Sequence, residues 1–275
     1  MTENNFAAAD LGEGTQIAAL DSESVRILRI VPAGARSDTA LLHFHGGGYR
    51  KGSPEIFADS LARIAEACRM QVFAVGYRLS TERPFPAALD DAVAAYELIT
   101  QEIRPERLAL WGDSAGGGLA AALLLRLREL GIRGPVGAFL FSPWADLRNS
   151  AVSFSENEAS DERFSLQQAT EAAADYLAGH PATDPLVSPA LGDWTGQPRL
   201  VVQVSDSEVL RDDALLLAQT ATDAGVDVRL KVHEGQPHIW NLAYPSTPAS
   251  ESAIDFMIEH LAQLIRPRVC GGTPR

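Results

Sequence analysis

From Ala40 onward, short apolar runs alternate with amphipathic stretches, and that alternation leaves few architectures open to the chain. Ala40–Phe44, Gln71–Tyr77, Arg107–Trp111, Val136–Phe141, Arg199–Val204 and Asp227–Val232 read as strands, most of them apolar without interruption. Strands buried on both faces of a parallel sheet look like this. Between them Glu55–Ala67, Ala88–Gln101, Gly117–Leu130, Asp212–Ala224 and Ala249–Ile265 place apolar residues at helical spacing. Thr15–Leu20 and Val25–Val31 add two strands in succession, with no helix between them. The pattern predicts an α/β fold: a mostly parallel eight-stranded sheet with helices on both faces, in one domain over residues 1–275.

One region interrupts the rhythm. Between Leu147 and Pro189 no strand is evident, and the apolar residues of Ser165–Ala178 recur at helical spacing. So long an insertion between buried strands predicts a small helical cap over the strand ends, where α/β proteins bind ligands. Within it the acidic stretch Ser155–Glu162, "SENEASDE", reads as a solvated face. A net charge of −13 argues against nucleic acid or an anionic membrane as a partner. Two cysteines, Cys68 in a helical pattern and Cys270 in a polar tail, form neither a disulfide framework nor a metal spacing. The first residues lack a basic region followed by an apolar core, and no apolar run is long enough to span a bilayer. A cytoplasmic location is the resulting expectation.

The sharpest local signal is Gly112-Asp113-Ser114-Ala115-Gly116, followed by Gly117 and Gly118, between the strand ending at Trp111 and a helix. In that setting G-x-S-x-G is a nucleophile elbow: a turn so tight that only small residues surround the serine, whose hydroxyl stands at a helix N-terminus. A phosphate-binding loop is the alternative. The stretch lacks the Gly-Lys-Ser/Thr ending of a P-loop and the glycine spacing of a dinucleotide fingerprint.

A nucleophilic serine needs a base, and on this fold the triad runs serine, acid, histidine along the chain. "KVHEGQPHIW" offers His233 and His238 after the last strand. His233 falls within the strand, whereas His238 follows Gly235 and Pro237 in the loop before the final helix, which makes it the candidate base. His260, late in an amphipathic helix, reads as a surface residue. The acid is expected in "VVQVSDSEVLRDDALLLA". Asp212 and Asp213 open a helix, where carboxylates oppose the macrodipole. Asp206 and Glu208 remain, and either could accept from the imidazole N–H and fix its tautomer.

Upstream, "LHFHGGGY" runs a strand into His43, His45 and three glycines. Glycine costs more backbone entropy than any other residue, so three in a row imply close approach to bare backbone. Acyl transfer passes through a tetrahedral oxyanion, and N–H groups of such a loop, with the one after the nucleophile, can meet it. H-x-H at a strand end can also hold a metal, but a metal hydrolase needs further ligands at later strand ends and would leave the elbow unexplained. His45 is read as holding the loop in shape. Neither a metal nor a cofactor is expected.

With His45-Gly46-Gly47-Gly48 and Gly112-Asp113-Ser114-Ala115-Gly116-Gly117 in one chain, the sequence resembles the hormone-sensitive lipase family of the α/β-hydrolase superfamily, the bacterial family IV esterases. "YRLSTERPFPAALDD", "SPWADL" and "DPLVSP" resemble further segments of that family. Gly76 and Ser80-Thr81 depart from its pattern, in which Asp and Ala-Pro are usual. The resemblance implies Ser114 as nucleophile, His238 as base and Glu208 as acid, by register on Glu208-Val209-Leu210-Arg211-Asp212-Asp213. It also implies an oxyanion hole from the N–H groups of Gly47, Gly48 and Ala115, with Gly46 supporting the turn. Tyr49, Trp144, Phe164, Tyr176 and Trp240 are candidate pocket walls. The activity implied is a serine carboxylesterase acting on small or short-acyl esters, lactones among them. A ligand-binding protein on a hydrolase fold, or an amidase or acyltransferase with the same triad, is the alternative. Relatives of this kind often form homodimers. Many also carry N-terminal cap helices, for which the roughly 44 residues before the glycines leave little room after two strands at about 3.3 Å per residue. A cap formed mainly by 147–189 is therefore expected to leave a more open entrance.

Overall fold

The computed structural model describes residues 14–22 and 25–265. The first thirteen residues and Cys270, on which expectations were placed, lie outside that range. All eight expected strands form: β1 (Gln16–Asp21), β2 (Arg26–Val31), β3 (Arg36–Phe44), β4 (Met70–Gly76), β5 (Leu108–Asp113), β6 (Gly137–Phe141), β7 (Arg199–Ser205) and β8 (Val228–His233). They make one sheet in the order β1-β2-β4-β3-β5-β6-β7-β8. β2 pairs antiparallel with β1 and with β4, and every pair from β4 to β8 is parallel. The helices are α1 (Ala58–Cys68), α2 (Ala87–Thr100), α3 (Ala115–Glu129), the single turn α4 (Ser153–Glu156), α5 (Leu166–Leu177), α6 (Arg211–Asp223) and α7 (Pro248–Leu264).

The uninterrupted apolar strands explain the layering. Alternate residues of β3 go to opposite cores: Leu42 and Phe44 join the cluster with α2, α3 and α6, while Leu41 joins the one with α1 and α7. β8 is wet, with Leu230 and Val232 exposed on either side of Lys231, as befits a sheet edge. His260 departs from expectation: it is buried on α7 against Phe256, ring centroids 4.4 Å apart, because the stripe of α7 facing the sheet is wide enough to include it.

The turn from β5 into α3 depends on glycine. A Cβ on Gly116 would collide with the backbone carbonyl carbon of Phe44 at 2.5 Å and the carbonyl oxygen of His45 at 2.6 Å. That close approach seats the start of α3 on the end of β3. Gly116→Ala forces backbone rather than a flexible side chain to move, so it is expected to destabilise the fold by about 2 kcal/mol or more. Urea unfolding of the variant beside wild type checks this.

Residues 142–198 join β6 to β7 and carry α4 and α5. α5 begins in a capping box, with Ser165 Oγ accepting from Gln168 N and the Gln168 side chain returning to Ser165 N. Its small face rests on the glycine loop, where a Cβ on Gly48 would touch that of Ala172 at 3.4 Å. Tyr176 of α5 stacks on Tyr49, with ring centroids 3.8 Å apart. The expected cap is thus seated directly on the segment after β3.

Candidate active site

Ser114 sits between β5 and α3 with φ 57° and ψ −121°, a strained conformation held from three sides. Its N–H donates to Phe141 O at 2.9 Å, and its carbonyl accepts from Gly118 N at 3.1 Å and Trp144 N at 3.0 Å. Its hydroxyl oxygen lies 2.8 Å from His238 Nε2. On the other edge of that imidazole, Glu208 Oε1 lies 3.7 Å from His238 Nδ1. This is an ion-pair distance and too long for a hydrogen bond. Glu208 is fully buried, and burial pushes its pKa above the usual carboxylate range. Asp206 is exposed and accepts from Gly235 N at 2.8 Å, so it faces the loop backbone while Glu208 faces His238.

The glycine loop turns away from β3 with Gly47 at φ 122° and Gly48 at φ 62°, both in the region where side chains are disfavoured. Among the described residues, the N–H groups of Gly47, Gly48 and Ala115 donate to no protein acceptor. His45 holds this loop: its Nδ1 pairs with Gly46 O at 2.7 Å, and its ring stacks on Tyr77 with centroids 4.3 Å apart. Burial pushes His45 down to about 4, so it is neutral at physiological pH. The Tyr77 hydroxyl donates to the His45 carbonyl at 2.7 Å.

The other histidine of that strand has a different partner. His43 Nε2 lies 2.8 Å from Asp113 Oδ2, both fully buried. Asp113 Oδ1 accepts from Asn241 Nδ2 at 2.7 Å, and Asn241 lies three residues beyond His238. Sequence reasoning passed over Asp113 and Asn241. Asp113 was visible as a charged residue in an otherwise small, apolar turn, whereas nothing in the sequence singles out Asn241.

The chain belongs to the α/β-hydrolase fold family. The family model matches residues 41–242. The chain is 42% identical to an acetyl-hydrolase of Streptomyces hygroscopicus, over 80% of this chain and 75% of that one. It is 34% identical to an esterase of Acinetobacter venetianus, over 77% and 69% of the two chains. Among solved structures it resembles an esterase from the bacterial hormone-sensitive lipase family at 39% identity, with a TM-score of 0.90 over 94% of this chain and 87% of that one.

Within this hydrolase fold the expected pocket walls divide. Tyr49, Trp144, Phe164 and Tyr176 form one aromatic series: Tyr49–Trp144 centroids are 6.0 Å apart, Trp144–Phe164 5.7 Å, and Phe164 stacks on His238 at 5.9 Å. Trp240 instead packs in the opposite layer against His233, at 4.8 Å. Ser114 is 5% and His238 6% exposed. Asp212 and Asp213 also do more than oppose a dipole. Asp213 Oδ2 accepts from Ala145 N at 3.1 Å and Asp146 N at 2.9 Å, and Asp212 Oδ2 accepts from Ser153 N at 2.9 Å, pinning the path into the cap.

Two buried histidines set an acid limit on stability. Burial lowers both His45 and His233 to about 4, against about 6.5 when unfolded. Between those values the unfolded chain binds more protons, so stability falls as pH drops from 6.5 towards 4, by up to about 1.4 kcal/mol per unit per histidine. His233→Gln, which can still donate to Gln203 Oε1, is expected to flatten this slope. Urea midpoints at pH 7 and pH 5 measure it.

Proposed function

We propose that this protein hydrolyses small, short-acyl carboxylic esters through a Ser114–His238–Glu208 triad. The observation that carries the reading is the 2.8 Å contact between Ser114 Oγ and His238 Nε2, beside three N–H groups that, among the described residues, lack a protein acceptor. Ser114 attacks the ester carbonyl while His238 takes its proton, and Glu208 stabilises the imidazolium that forms. The N–H groups of Gly47, Gly48 and Ala115 receive the developing oxyanion. Collapse expels the alcohol, protonated by His238. Water activated by the same imidazole then releases the acid from the acyl-enzyme. Each proton that leaves one group arrives at another, so the protein's own side chains suffice.

The short-acyl preference rests on packing. Tyr49, Trp144 and Tyr176 are 2% exposed or less and fill the space between α5 and the elbow. Acetyl esters fit such a site, in keeping with the acetyl-hydrolase among the relatives. Lactones are cyclic esters and enter the same chemistry. The net charge of −13 and the absence, among the described residues, of a helix long and apolar enough to cross a membrane favour a dissolved small molecule as substrate.

Hydrolysis of p-nitrophenyl acetate is expected to exceed that of the octanoate in kcat/KM. Ser114→Ala and His238→Ala should each lower kcat by about 10⁴-fold or more while leaving the melting temperature within a few degrees. Wild-type protein that binds esters without turning them over would point to a ligand-binding role instead.

A further inference from the structure

The surroundings of Glu208 are built in part by the stretch that leaves β6 and runs into the cap. Ser142, the first residue after β6, donates its hydroxyl to Glu208 Oε1 at 2.7 Å. That oxygen is also the one facing His238. Further along, the side-chain amide of Asn157 donates to the carbonyls of Asp206 and Glu208, both at 2.7 Å. Asp161 Oδ2 accepts from Val209 N at 3.0 Å, and Ser153 Oγ donates to Val209 O at 2.6 Å. Asn157 and Asp161 belong to the stretch expected to be a solvated face. Its other residues are exposed, but these two are buried because they supply partners to the turn that carries the acid.

A buried carboxylate needs donors to remain ionised. Two titratable groups bear on Glu208: His238, its one ion-pair partner among the described residues, and Asp161, which adds repulsion from the cap. Among the described residues Glu208 Oε2 has no hydrogen-bond partner, which leaves the Ser142 hydroxyl as the one short contact to the carboxylate there.

We propose that Ser142 and Asn157 are positioning residues for the catalytic acid: Ser142 aims the Glu208 carboxylate and keeps it ionised, and Asn157 fixes the turn that presents it to His238. This rests on Glu208 being the acid and adds to that reading a part in catalysis for the segment leading into the cap, which otherwise only covers the substrate.

Ser142 has φ 46°, a conformation glycine adopts freely, so Ser142→Gly removes the hydroxyl without straining the turn. In Ser142→Gly and Asn157→Leu, kcat on p-nitrophenyl acetate is expected to fall about 10- to 100-fold with KM within about threefold of wild type. In Ser142→Gly the acidic limb of kcat/KM should also move up by about one unit, because the form with a protonated acid and neutral histidine gains population. A double-mutant cycle with Glu208→Gln supplies a readout that a purely structural role would not move. In the Glu208→Gln background, Ser142→Gly should cost less than about threefold, the charge it supports being gone. A kcat within about twofold of wild type in folded Ser142→Gly, an unmoved acidic limb, or fully additive losses in the cycle overturns the proposal. If Glu208→Gln alone retains wild-type activity, the triad assignment fails and the proposal falls with it; if Glu208→Gln is crippled and Ser142→Gly is not, only the proposal fails. Should Asn157→Leu not fold, Ser142→Gly and its cycle decide.

Discussion

One buried carboxylate joins the separate pieces of this site. Asp113 ends β5 immediately before Ser114, is fully buried, and receives His43 from β3 and Asn241 from the loop that carries His238. Taking such a charge out of water costs several kcal/mol unless its lone pairs are met, so the partners hold their places with corresponding stringency. Through that carboxylate the elbow, the end of β3 and the histidine loop become one rigid object. The 2.8 Å contact between Ser114 and His238 is a consequence of the arrangement.

The cap relates to this object in two ways. α5 lies on the glycine loop through Ala172 and Tyr176, shaping the space open to an acyl group. The stretch before it reaches the turn around Glu208 through Ser153, Asn157 and Asp161. The space beside Ser114 and the surroundings of Glu208, the proposed acid, thus share one insertion. Replacing the cap wholesale would alter both, whereas changes confined to the exposed face of α5 leave the supports of Glu208 in place.

Much of the fold was legible because strands such as Gly137–Phe141 are apolar on both faces and can be satisfied only inside a covered sheet. Ser114 and His238 were legible because glycine and proline mark the sharp turns that expose a side chain at a strand end. Glu208 was not separable from Asp206 by local chemistry. The two lie two residues apart, and only the path of the turn after β7 sends one inward and the other to solvent. Asn157 was hidden for a related reason: a polar residue in an acidic stretch looks solvated until the carbonyls it meets, fifty residues away in sequence, are brought beside it. Trp240 shows the converse, an aromatic two residues from His238 in sequence whose side chain enters the other layer.

β8 is the least buried strand of the sheet, and the loop that bears His238 follows directly from it. Edge strands with so little apolar burial open at low free energy. The loop of His238 nevertheless has a mooring elsewhere, through Asn241 to Asp113 in the interior of the sheet, so local opening at the wet margin need not carry the imidazole away from the serine. A wet border and a closely held serine–histidine pair thus coexist in one molecule, because the attachment of the pair bypasses the border.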